Sequence, residues 1–155
     1  LKDHLLNKAM ANSRPIVILE DDEDDQELIE EAIREIGFKN KIIFFKDGEE
    51  GVEYLRMAKE LPFIIISDLK MPRMDGLEFK ICIDQDQSLR QKMIPFVFLT
   101  TSTDITVFKR VNSQTTILGY FVKPNNYHDL KYTIKTILDY WGAQESFSMH
   151  FENQR

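Results

Sequence analysis

The sequence contains one cysteine, Cys82, which excludes a disulfide framework within the chain and suits a reducing cytoplasm. No apolar run approaches the length of a membrane span, and the N-terminus lacks the apolar centre of a signal peptide. His4, His128 and His150 share no spacing that suits a metal or a catalytic pair. Positive charge is in deficit: 20 Lys and Arg stand against 26 Asp and Glu, and the formal charge of −6 argues against a free nucleic-acid surface. There is no internal repeat and no low-complexity tract. What is present is a chain of 155 residues, 43% hydrophobic and 30% charged, the size and composition of one globular domain with a full core.

The most informative stretch is Phe63-Ile64-Ile65-Ile66-Ser67-Asp68-Leu69-Lys70-Met71-Pro72. A short apolar, β-branched run meets a carboxylate, and turn signals follow at Pro72 and Asp75-Gly76. Such a run reads as a strand buried on both faces. Asp68 then stands at its carboxyl end, where open α/β sheets place ligands, although Asp also ends strands simply because it makes turns.

The same unit recurs along the chain. Residues 1–14 form an N-terminal extension, a short leading helix or a frayed end. Ile16-Val17-Ile18-Leu19 is a first strand, ending in the acids Glu20 to Asp25. Leu28, Ile29, Ala32, Ile33 and Ile36 give a helix, capped by Asp24 with Glu27 and stopped by Gly37. Ile42-Ile43-Phe44-Phe45 is the second strand. A second helix carries Val52, Leu55 and Ala58 and ends at Pro62. A third begins near Asp75 with Leu77, Ile81 and Cys82, the cysteine reading as a small core residue. The polar stretch from Asp84 to Lys92 leads to Phe96-Val97-Phe98-Leu99, the fourth strand. Ile105, Phe108 and Val111 mark a fourth helix, capped by Ser102 or Thr103, and Leu118 to Val122 a fifth strand. The last helix carries Leu130, Ile134, Ile137, Leu138 and Trp141, with Gly142 as its stop. Residues 143–155 are expected to be a disordered tail, or to dock through the alternating Phe147, Met149 and Phe151. Strand and helix alternate five times, which implies one α/β domain over 15–142 with a parallel sheet, doubly wound as (βα)5.

In a parallel sheet all strand ends of one sense meet at one edge. Glu20 and Asp21, Asp68, Thr100 and Lys123 therefore converge. Gathered carboxylates repel unless a cation joins them, and an all-oxygen set suits Mg2+. A hydroxyl and an ammonium opposite suit a phosphoryl group. The residues thus read as a Mg2+-dependent phosphoryl site with a carboxylate as nucleophile or acceptor. Glu23 to Asp25 read as charge favoured at a helix N-terminus, and Asp75-Gly76 as a turn and helix start without chemistry.

Glu20-Asp21, the segment Asp68-Leu-Lys-Met-Pro-Arg-Met-Asp-Gly76, Leu99-Thr100-Thr101 and Gly119-Tyr-Phe-Val-Lys123-Pro124 together resemble the receiver domain of two-component response regulators, over about residues 15–141. The resemblance implies a flavodoxin-like sheet of strand order 2-1-3-4-5. It makes Asp68 the acceptor of a phosphoryl group from a histidine kinase or phosphotransfer protein. Asp21, Asp68 and the backbone carbonyl of Lys70 would bind Mg2+, with Glu20 acting through bound water. Thr100 would donate its hydroxyl to the phosphoryl group and Lys123 would pair with one of its oxygens. Tyr120 matches the aromatic that changes rotamer on activation, though plain strand packing also explains it. The family's bond at the Lys123–Pro124 position is cis. Lys70 and Ser102 occupy positions that tune phosphoryl lifetime.

The protein so implied is a cytoplasmic switch rather than an enzyme, apart from catalysing its own phosphorylation from small donors and its own dephosphorylation. It binds no nucleic acid or membrane directly, acts on a downstream protein through the fourth helix, fifth strand and fifth helix, and is a monomer or weak homodimer. The acidic first loop and Pro72-Arg73 are similar to single-domain response regulators paired with phytochrome-like kinases. Two other classes stay open. A Mg2+-dependent phosphohydrolase with an aspartyl intermediate would need a second acid two residues after Asp68, where Lys70 stands. A degenerate receiver would serve only as an interaction module.

Overall fold

The structure is a computed structural model that describes residue 2 and residues 13–152, with side chains as far as Trp141. The expectation for residues 1–14 lies largely outside the described residues, as do the side chains of Phe147, Met149 and Phe151.

Five strands, β1 (Ile16–Leu19), β2 (Ile42–Phe45), β3 (Ile64–Ser67), β4 (Phe96–Thr100) and β5 (Gly119–Val122), form one sheet in the order β2-β1-β3-β4-β5. Every pairing is parallel, with Ile16 beside both Ile42 and Ile64, Ile65 beside Phe96 and Val97 beside Gly119. Among residues 13–152 the helices are α1 (Glu23–Ile36), α2 (Gly48–Met57), α3 (Gly76–Gln85), α4 (Gln87–Arg90), α5 (Ile105–Gln114) and α6 (Tyr127–Glu152).

The unbroken apolar strands are explained by two cores. Side chains of a strand alternate between faces. Ile16, Ile18, Ile64, Ile66, Val97 and Leu99 pack with Ile29, Ala32 and Ile33 of α1 and Leu130, Ile134, Ile137 and Leu138 of α6. Val17, Leu19, Ile65, Phe96 and Phe98 pack on the other face with α2 to α5, and Cys82 lies half-buried against that cluster. No helix among the described residues is long and apolar enough to cross a membrane.

Local chemistry corrects several boundaries. The cap of α1 is Asp22, not Asp24: its side chain accepts from the Asp25 N–H at 3.0 Å. Helix α2 ends at Met57, before Pro62 is reached. Asp86 accepts from the N–H groups of Ser88 and Leu89 and so starts α4, a single turn within the stretch read as polar connection. The cap of α5 is Asp104, accepting from Thr106, rather than Ser102 or Thr103. Helix α6 passes through Gly142 to Glu152, where a stop and a disordered tail were expected. A helical glycine costs only about 1 kcal/mol, which Ala143, Gln144 and Glu145 beyond it help to offset.

Gly37 ends α1 as expected, in the left-handed region at φ 107°, and its N–H bonds back to Arg34 and Ile33 carbonyls. A Cβ there would meet nothing within 4 Å, so only backbone strain opposes a side chain. Gly37→Ala is expected to lower stability by about 1 kcal/mol in urea unfolding, and Gly37→Asn by less.

Candidate functional site

The carboxyl ends of four strands, β1, β3, β4 and β5, build the site. After β1, the Glu20 N–H donates to the Phe45 carbonyl at 2.9 Å, and the Glu20 carbonyl accepts from Gln26 Nε2 at 2.6 Å. The Glu20 side chain turns inward and the residue is buried, while Asp21 next to it faces solvent. After β3, the Asp68 N–H donates to the Leu19 carbonyl at 2.9 Å, tying the two strand ends together. One Asp68 carboxylate oxygen accepts from the Leu69 N–H at 2.6 Å. A ligand oxygen from each of Glu20, Asp21 and Asp68 lies within 4.8 Å of the others.

Lys123 enters from β5. Its N–H donates to the Thr100 carbonyl at 2.6 Å, which fixes its stem beside the end of β4. Its Nζ lies 2.7 Å from Glu20 Oε2, 3.0 Å from Asp25 Oδ2 and 3.6 Å from Asp68 Oδ2. The Lys123–Pro124 peptide bond is trans, against the expectation of cis, and the ammonium reaches the carboxylates from that backbone. Burial works against the lysine's charge. Its contact with Glu20 and the fields of Asp68 and Asp25 outweigh that and hold its pKa above the ordinary lysine range. Burial also pushes the Glu20 carboxyl up to about 7, against the pull of Lys123. One ammonium does not fully compensate this group of acids. Hard oxygen donors at these separations, with no histidine or thiol among them, fit a divalent cation.

Thr100 ends β4, 1% exposed, and its hydroxyl oxygen accepts from the Ser102 N–H at 3.2 Å. Tyr120 packs its ring on Phe98 and edge-on to Phe108, and its hydroxyl donates to the Ser102 carbonyl at 3.2 Å. The aromatic is therefore hooked to the loop that follows Thr100. Lys70, with Asp21, Leu69, Met71, Pro72 and Asp75, lines a shallow open cleft at the same rim.

Two features were not read from the sequence. Asp25 was assigned to the solvated start of α1, yet it bonds Lys123 across 98 residues of chain. An acidic helix start looks the same whether or not one of its members reaches a lysine. Asp75-Gly76 was given no role beyond a turn and helix start. Asp75 and Glu78 form a reciprocal capping box. Gly76 lies so close to the loop that a Cβ would come within 1.9 Å of the Asp68 carbonyl oxygen. The loop is held from its far side as well. Gly48 donates its N–H to the Met74 carbonyl at 2.8 Å, and the guanidinium of Arg73, at φ 63°, pairs with Asp47, the fully buried cap of α2.

A family model described as the response regulator receiver domain matches residues 16–135. The chain is 35% identical over 130 residues to a probable methanogenesis regulatory protein, FilR2, of Methanothrix harundinacea, covering 81% of this chain and 82% of that protein. Among solved structures, the phosphorylated cyanobacterial phytochrome response regulator RcpA is similar at a TM-score of 0.75 and 28% identity, covering 83% of this chain and 94% of that one. The Mn2+-bound form of response regulator Rcp1 is similar at a TM-score of 0.72 and 26% identity, again over 83% and 94%.

The backbone contact at Gly76 cannot relax as a side chain can. Gly76→Ala is expected to cost more than about 2 kcal/mol in urea unfolding. A Cβ at Gly48 would press only on the flexible Met74 and on Phe79 Cβ, so Gly48→Ala is expected to cost less.

Proposed function

This chain belongs to the family of response regulator receiver domains, and on that footing we propose that Asp68 accepts a phosphoryl group from the phosphohistidine of a histidine kinase or phosphotransfer protein. An Asp68 oxygen bonds to phosphorus while the phosphorus–nitrogen bond of the donor breaks. The electron pair leaves on the imidazole nitrogen. The observation that carries this reading is the grouping of Glu20, Asp21 and Asp68 oxygens within 4.8 Å, with the Lys123 ammonium 3.6 Å from Asp68. The cleft beside Asp21 and Lys70 gives a donor side chain its approach.

Mg2+ would be held by Asp21, Asp68 and the Lys70 carbonyl, with Glu20 acting through bound water, and would supply charge that offsets the phosphoryl oxygens. The grouping of Glu20, Asp21 and Asp68 oxygens supports a cation site, as does the similarity to a Mn2+-bound receiver. Lys123 pairs with a phosphoryl oxygen and Thr100 donates its hydroxyl to another. When Thr100 turns to do so, its bond from the Ser102 N–H is given up. The Ser102 carbonyl, which holds the Tyr120 hydroxyl, then moves, and Tyr120 follows. The surface of α5, β5 and α6 changes shape, and a protein target that prefers the new shape supplies the coupling.

The receiver unit is residues 15–142, with 1–14 and 143–155 as extensions, in a cytoplasmic monomer or weak homodimer that touches neither nucleic acid nor membrane directly. It takes phosphoryl groups from small donors and sheds them by its own hydrolysis, at a rate to which Lys70 and Ser102 contribute.

Radiolabel transfer from a phosphorylated histidine kinase is expected to label the chain and to fall to background in Asp68→Asn. Undiminished labelling of that variant would sink the assignment, and multiple turnover on small phosphate esters would replace it with a phosphohydrolase. Asp21 is exposed, so Asp21→Asn should fold normally. It is expected to weaken Mg2+ binding by calorimetry more than about tenfold, with an unchanged urea midpoint.

A further inference from the structure

The ammonium of Lys123 has three N–H donors. Two point at carboxylates other than Asp68: Glu20 at 2.7 Å and Asp25 at 3.0 Å. Asp68, at 3.6 Å, is within range of the charge but beyond a good hydrogen bond. The lysine is thus turned toward α1 and away from the residue it is to serve. Glu20 is locked in place, its side chain 3% exposed and accepting from the Asp22 N–H. The Asp25 side chain is 37% exposed and stands on the first turn of α1. It can therefore release the ammonium to water and still be favoured by the helix N-terminus.

Resting on the assignment of Asp68 as acceptor, we propose that Asp25 is a positioning residue that holds Lys123 off the acceptor carboxylate. It thereby sets how readily the phosphoryl group is accepted and how long it stays. The third N–H is spare, but the pairing with Asp25 holds Nζ 3.6 Å from Asp68. Moving the ammonium onto a phosphoryl group at Asp68 stretches that pairing, and the strength lost is subtracted from the phosphorylated state. An acid that merely favoured the helix start would not act through Lys123.

The test is a double-mutant cycle on the full chain, with beryllofluoride in Mg2+ as the phosphoryl mimic and amide shifts as the readout of binding. Asp25→Asn is expected to tighten beryllofluoride roughly three- to fivefold, as expected for release of one partly exposed ion pair. Asp25→Glu, which keeps the anion, is expected to stay near the unsubstituted affinity. In a Lys123→Met background the gain from Asp25→Asn is expected to disappear. Equal gains with and without Lys123 would show a general field effect and overturn the inference, as would no gain with Lys123 present. A chain in which even the unsubstituted protein gives no Mg2+-dependent response overturns the acceptor assignment itself, and this inference with it.

Discussion

A single ammonium among carboxylates from separate segments is the constraint around which this molecule is arranged. Lys123 lies within 3.6 Å of acids carried by β1, α1 and β3, and Asp21 adds a further acid at the same rim. Two like charges about 4 Å apart repel by about 4 kcal/mol at the dielectric of a protein surface. Such a cluster persists only if the backbone beneath it does not yield. It also gains from any further positive charge, so the strain that Lys123 leaves unrelieved is what makes the rim receptive to a divalent cation. The same excess of acid opposes an incoming anionic donor until that cation is held.

The stiffness comes from the sheet and from backbone contacts at its edge. The central strands β1, β3 and β4 are buried throughout, one face against α1 and α6 and the other against α2 to α5. Above them the loop from Asp68 to Gly76 is pinned at both ends. The Gly76 N–H donates to the Leu69 carbonyl at 2.9 Å, with its Cα against the Asp68 carbonyl, and Arg73 anchors to Asp47 at the start of α2. The loop therefore shapes the acceptor by close packing of main chain, which only glycine at position 76 permits.

The strands were legible because a strand buried on both faces leaves an uninterrupted apolar run, and their order followed from the family resemblance once the motifs at their ends were recognised. Glu20, Asp21, Asp68 and Lys123 were legible for a related reason: each lies within two residues of the end of such a run, and a parallel sheet gathers those positions at one edge. Asp25 was not, because it lies on a helix, where its acidity already had a sufficient local cause. Nor was α4, since one turn held by Asp86 is too short to show a period. Gly142 was overread as a stop: glycine disfavours helix only weakly, and the residues around it decide. The expected cis bond at Lys123–Pro124 came from the family resemblance alone; a lysine–proline pair by itself favours trans, as found.

The path from the rim to the surface follows from where burial runs out. Of the strands that carry site residues, β5 is the least buried, an edge strand with Val122 exposed on one end of its run and Leu118 just before it. It bears both Lys123, which follows it, and Tyr120 within it. A shift of the lysine at the rim and a shift of the tyrosine hook at Ser102 therefore act on one element, which is free on its outer side to move. The other edge strand, β2, is also only half buried, but its link to the site is the Phe45 carbonyl that accepts from Glu20. It carries no group that changes partners when charge arrives at Asp68. On the switch proposed above, an event at the rim is expressed asymmetrically, toward β5 and the helices flanking it, because Lys123, Tyr120 and the less buried packing coincide there.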